Sequence, residues 1–209
     1  LIIQMKANYA LANAIRRSIE EIPTLAIDEV EFFKNNSALF DEFLAHRLGL
    51  VPLKTDSKIT SKTAVNLKLQ KTGPCTVYSG DLKGGAKVIY DSIPLTILEK
   101  GQELEMIATA KLGTGLEHTK HIPGLCYYRN LLEIKTNPKI DKIVQNAKNI
   151  IKPEKKGNSW ICDIPESDID EVLKIDKESV KDADELLLFI ESFGLLDAEA
   201  ILKKAIEAL

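Results

Sequence analysis

Three cysteines in 209 residues, Cys75, Cys126 and Cys162, are odd in number and far apart, which excludes a disulfide framework. With no CxxC pair they also form no zinc or iron-sulfur cradle, and they read as buried or half-buried thiols. There is no basic excess: 28 Lys and Arg stand against 31 Asp and Glu, which argues against a domain that grips nucleic acid by its phosphates. No apolar run approaches the ~18–20 residues that cross a bilayer, and nothing near Leu1 has the layout of a signal peptide, so the cytoplasm is the expected location. Phosphate-cradling glycines are missing too. GGA at 84–86 and GTG at 113–115 carry no Lys-Ser/Thr partner and no complete GxGxxG, and no GxSxG elbow occurs. The first residue is Leu and not Met, at the head of what reads as mid-strand, which points to a missing N-terminus.

What is present is hydrophobic patterning, with 44% apolar residues. LIIQMKA at 1–7 reads as a strand. YALANAIRRSIEEI then recurs at helical spacing through Leu11, Ile15, Ile19 and Ile22, with Asn8 as its N-cap and Pro23 as its stop. Its alanines, Ala10, Ala12 and Ala14, leave room for another backbone to approach. TLAIDEVEFF is strand-like but changes face around Asp28 and Glu29, which predicts a bulge. Leu39, Phe40, Phe43, Leu44 and Leu48 form the expected apolar side of a helix that Gly49 ends in a left-handed stop. AVNLKLQ, CTVYSG, AKVIYD, ELEMIATAKLG and CYYRNLLEIKT follow as strand candidates, with GTGLEHTKHIPG as a loop. PKIDKIVQNAKNII predicts a helix, KPEKKGN an exposed turn, DIPESDIDEVLK one or two helical turns, and DELLLFIESFG a strand with Leu186, Leu188 and Ile190 on one side. DAEAILKKAIEAL predicts a final helix with Asp197 as N-cap and Ala198, Ile201, Leu202, Ala205, Ile206 and Leu209 on its apolar face.

An amphipathic helix at each end around a β-rich middle predicts an α+β chain whose ends meet as one domain with the middle inserted. Residues 1–50 and 181–209 are the expected end domain, and 51–180 the insert. Chemistry has one candidate. Glu42 and His46 share a helical face, and His118 or His121 would supply a further ligand for a metal-dependent enzyme. The competing reading is a polar helix rim and a polar loop, and the rest of the sequence points to interfaces rather than to catalysis.

NYALANAIRRSIEEIPTLAIDEVEF, DEFLAHRLGLVPL and LLLFIESFGLLDAEAILKKA closely resemble the D subunit of archaeal RNA polymerase, a family similar to the bacterial polymerase alpha subunit and to the third-largest subunit of eukaryotic polymerase II. The resemblance covers essentially the whole chain. It implies an alpha-subunit-like dimerisation domain formed by both chain ends and a mainly β insert. It implies a subunit with no active site of its own that pairs with the small L subunit, making the platform for the two large catalytic subunits and the small N and P subunits. The dimerisation helices then contribute Leu11, Ala12, Ala14, Ile15, Ile19, Ile22, Ile201, Leu202, Ala205 and Ile206. Arg16, Arg17, His46 and Arg47 are the expected partner or large-subunit contacts. Many relatives carry a ferredoxin-like insertion with clustered cysteines holding an iron-sulfur cluster; residues 136–180 here contain only Cys162, so the expectation is a reduced remnant without a cluster.

Overall fold

The computed structural model describes residues 1–56, 59–60 and 63–209. The polar run KTDSKITSKT therefore falls partly outside the described residues. In chain order the elements are β1 (Ile2–Lys6), α1 (Tyr9–Ser18), β2 (Thr24–Asn35), α2 (Asp41–Gly49), β3 (Val65–Thr72), β4 (Cys75–Tyr78), β5 (Lys83–Gly84), β6 (Pro94–Leu98) and β7 (Glu103–Gly113). They continue with β8 (Gly124–Lys135), α3 (Pro138–Asn146), β9 (Glu154–Lys156), β10 (Ser159–Cys162), α4 (Glu166–Ile175), β11 (Val180–Ser192) and α5 (Ala198–Glu207). Packing divides the chain into two compact units, Leu1–Asn13 with Tyr127–Phe189, and Ala14–Cys126 with Ile190–Leu209.

The first unit is built on an antiparallel sheet of order β1-β11-β8-β10-β9. Alternation along the strands separates its apolar residues onto two faces. Trp160 and Cys162 of β10 join Ile134, Ile140, Val144, Ile164 and Val172 in one cluster, which brings in α3 and α4. Ile161 joins Leu131, Ala183, Leu187 and Phe189 in another. The β11 run at 186–188 is buried on both faces, where one face was expected: Leu186, Leu187 and Leu188 are all at most 1% exposed.

The second unit holds a four-stranded sheet of order β2-β7-β3-β5 and a two-stranded sheet of β4 and β6. Leu25 and Ile27 of β2, Leu44 and Leu48 of α2, and Leu67, Leu69, Leu104 and Met106 form its core. The predicted bulge is present, because the β2–β7 register shifts between Ile27 and Glu29, and a second shift lies between Phe32 and Lys34. β2 is the end strand of its sheet, and two irregularities plus Asp28, Glu29, Glu31 and Lys34 make its free edge a poor template for another strand.

Several local expectations hold. Asn8 Oδ1 accepts the Leu11 N–H at 3.1 Å, the geometry of an N-cap, and a 3-10 turn at Ile19–Glu21 extends α1 to the stop before Pro23. Others need correction. Gly49 has no positive φ and lies inside α2, which ends through Leu50 N–H to Arg47 O and Val51 N–H to Leu48 O; tightening of the last turn replaces the left-handed stop. AKVIYD forms no strand but one isolated bridge from Val88 to Leu53, while PLTIL, not predicted, becomes β6. The helix from Pro138 stops at Asn146, so Ile151 packs with the other cluster. KPEKKGN supplies strand β9 as well as the turn: Gly157, at φ +61°, takes the first central position of a two-residue hairpin loop to β10. DIPESDIDEVLK gives the ten-residue α4 rather than one or two turns. Asp197 precedes α5 with extended φ and ψ but makes no side-chain cap bond; its Oδ1 lies 2.9 Å from Lys54 Nζ.

Candidate assembly surfaces

Helical spacing identified the apolar stripes of the end helices, but burial divides each stripe in two. In the first unit Ala12 is fully buried and Leu11 is 41% exposed. In the second unit Ile15, Ile19, Ile22, Ile201 and Ala205 are at most 6% exposed, and α5 packs on the 3-10 turn that contains Ile19. Ala14 and Leu202 are half-buried, and Ile206 is 52% exposed. Only the outer flank of each predicted stripe is available to another chain. Arg16 is half-buried, whereas Arg17, His46 and Arg47 are exposed.

The α2 surface divides in a similar way. Leu44 and Leu48 enter the core, while Phe40 and Phe43 of the same predicted stripe are 72% and 61% exposed, their ring centroids 6.4 Å apart. Phe40 precedes the nine-residue α2 and Phe43 lies in its first turn, off the Leu44 and Leu48 side that enters the core. Beside this helix runs a groove of about 340 Å³ lined by Leu39, Arg47, Pro94 and Ile97. Arg47 Nη2 donates to Pro94 O, and Ile97 is 64% exposed. Exposed large apolar side chains next to an arginine have the composition of an interface core. The pattern in the sequence revealed a helix but not that Phe40 and Phe43 face outward.

The loop at 114–123 is clamped onto β2 by polar contacts. Thr24 Oγ1 donates to His121 O at 2.6 Å, and the His121 ring Nδ1 lies 2.9 Å from Thr24 O. Lys120 Nζ, on a side chain only 13% exposed, donates to Ile27 O at 3.0 Å and to Asp28 Oδ1 at 3.2 Å, beside the β2 bulge. Burial pushes the Asp28 carboxyl up, and the Lys120 and Lys111 ammonium groups outweigh it, leaving it below its ordinary value. Lys120→Met should cost about 1–3 kcal/mol by removing the charged hydrogen bonds to Ile27 O and Asp28, read as a lower denaturant midpoint at unchanged slope.

Burial pushes His121 below its ordinary 6.5, with a smaller contribution from the Lys120 charge, while the Thr24 carbonyl and the Glu117 and Asp28 charges act in the opposite sense. The folded value is thus the lower one, so the unfolded chain binds the proton more readily. The contribution of His121 to stability is complete above about pH 6.5 and is lost as pH falls through the depressed folded value. The thermal midpoint should therefore drop on acidification below that pH, and drop less steeply in His121→Asn.

The geometry does not assemble the metal site. His46 and His118 line one cavity of about 130 Å³ with Asp28 and Lys120, but Glu42 is not in its wall. The buried His121 is engaged with Thr24. Among the described residues no group of three or more His, Cys, Asp or Glu is placed to hold a metal ion. No helix among them is long and apolar enough to cross a membrane.

Residues 27–125 match the family model of the RNA polymerase Rpb3/RpoA insert domain, a stretch that lies wholly within the second unit. The chain is 43% identical over 166 residues to the DNA-directed RNA polymerase subunit Rpo3 of Pyrococcus horikoshii, covering 73% of this chain and 64% of that protein. It is 31% identical over 210 residues to the subunit of the same name from Methanocaldococcus jannaschii, covering 100% of this chain and 83% of the relative. The Rpo3 of Halobacterium salinarum is 36% identical over 210 residues, with 96% and 84% covered. The chain thus spans 64% of the length of the first of these relatives and more than four fifths of the other two. By these identities and that coverage, the chain belongs to the archaeal Rpo3 family of DNA-directed RNA polymerase subunits.

Proposed function

We propose that the chain is the D-type assembly subunit of an archaeal DNA-directed RNA polymerase, without an active site of its own, acting inside the cell as part of the transcription complex. The observation that carries this reading is the match of an Rpb3/RpoA insert domain at 27–125 within a chain related along its length to Rpo3. β1 pairs with β11, Ile2 opposite Phe189 and Lys6 opposite Glu185, so a strand from each of the two predicted end segments shares one sheet, which supports a dimerisation part drawn from both. The small L subunit is the proposed partner. Leu11 in the first unit, and Ala14, Leu202 and Ile206 in the second, are the predicted dimerisation residues that retain accessible surface. The large catalytic subunits and the small N and P subunits then join the heterodimer, with Phe43 and Arg47 of α2 and Phe40 at its N-cap offered to them.

Nucleotidyl transfer belongs in this reading to other chains, and the subunit contributes binding free energy and geometry. Light scattering of the chain eluting alone and after mixing with the L subunit tests it. A one-to-one complex is the expected result; a monomer that ignores the L subunit at micromolar concentration overturns it.

A further inference from the structure

The residues at 136–180 do not fit the iron-sulfur cluster that the family resemblance allows there. Cys162 is the only cysteine in this stretch and is fully buried in the apolar cluster of Ile134, Val144, Trp160 and Ile164. Burial, with a smaller push from the Asp163 charge, takes its thiol up to about 12, far from the thiolate that a metal requires. The stretch is held instead by its own packing and by the sheet: β10 pairs with β8, and Ile134 of β8 joins its apolar cluster.

We propose that residues 136–180 form a metal-independent module centred on Trp160, whose ring closes the apolar cluster while its indole N–H, Asp141 and Lys155 tie α3 to the β9–β10 hairpin. The indole Nε1 donates to Asp141 Oδ1 at 2.8 Å, and the Asn137 N–H that opens α3 donates to the same oxygen at 3.3 Å. Lys155 of β9 reaches Asp141 Oδ2 at 3.4 Å and lies 5.3 Å from the centroid of the Trp160 ring. One carboxylate in the first turn of a helix therefore joins that helix to two strands. The Trp160 bond, aided by Lys155 and opposed by desolvation, holds the Asp141 carboxyl below its ordinary value. Cys162 in this arrangement is a packing residue and not a ligand.

Trp160 is the only tryptophan, so its fluorescence in the intact chain reports this module selectively. Thermal melts followed by that signal, with and without prolonged incubation with an iron chelator, should superimpose in oxidising and in reducing buffer. Cys162→Ala should remain equally indifferent to the chelator. Asp141→Ala should lower the tryptophan midpoint by about 2–4 °C, and Asp141→Asn, whose side-chain oxygen still accepts the indole N–H, should recover part of it. Iron near one cluster per chain in anaerobically purified protein, or a midpoint that falls with the chelator, would overturn metal independence. An Asp141→Ala midpoint equal to that of the parent would overturn the tie; should that variant not fold, a pair of identical midpoints for the parent and Asp141→Asn at a pH well below the lowered Asp141 value, where both side chains are neutral, supports it, and a difference there opposes it.

Discussion

Ile19→Asp should unfold this chain rather than detach a partner. Ile19 is 2% exposed, in the 3-10 turn that packs against α5, so the substitution places a carboxylate among apolar side chains that offer it no partner. Loss of the buried side chain alone is worth about 1.5–3 kcal/mol, and an uncompensated charge raises the cost to about 4 kcal/mol or more, a large part of the stability of an ordinary domain. The lone chain should lose its cooperative denaturant transition, or show it at a much lower midpoint. Ile19→Val, which keeps the shape and removes one methyl, should cost only about 0.5–1.5 kcal/mol. An Ile19→Asp chain as stable as its parent would mean that this residue is not in the core. Loss of the L subunit in such a variant is a consequence of unfolding and says nothing about the interface.

Ile206→Asp should do the opposite, leaving the lone chain folded and weakening its heterodimer. Ile206 is 52% exposed in the last turn of α5, so the cost to the chain is expected to stay within about 0.5 kcal/mol, apart from a few tenths for a negative charge near a helix C-terminus. If this flank is the proposed dimer contact, burying a charge there should cost about 2 kcal/mol or more of binding, roughly a 30-fold rise in Kd measured by titration calorimetry. Ile206→Lys separates the causes, because a positive charge suits that end of the helix. Equal losses for Asp and Lys identify an apolar contact, a loss for Asp alone identifies an electrostatic one, and unchanged binding in both removes α5 from the interface.

These two isoleucines also mark how far the sequence could be read. Ile19 and Ile206 carry the same signal, an apolar residue at helical spacing in an end helix, and both were expected at a partner contact. Periodicity identifies the wet and dry sides of a helix, but a side chain dry against its own chain and one waiting for another chain look alike in it. The same ambiguity placed Phe40 and Phe43 on one stripe with Leu44, although only Leu44 is buried. Gly49 shows a different failure: glycine permits a left-handed stop without requiring it, and here the turn tightened instead.

The sequence by itself determined the features that depend on neighbours in the chain. Asn8 caps α1 because its side chain reaches an N–H three residues ahead, and β3 alternates because successive side chains point to opposite faces. The break at Asp28 could be read because the alternation fails there. Tertiary structure alone decided what depends on distant partners. Lys120 is drawn to the carbonyl of Ile27, the Asp197 carboxylate to Lys54, and the Thr24 hydroxyl to the carbonyl of His121. Hydrogen bonds and ion pairs across such separations carry no period in the sequence, and the free energy that selects them exists only once the chain has folded.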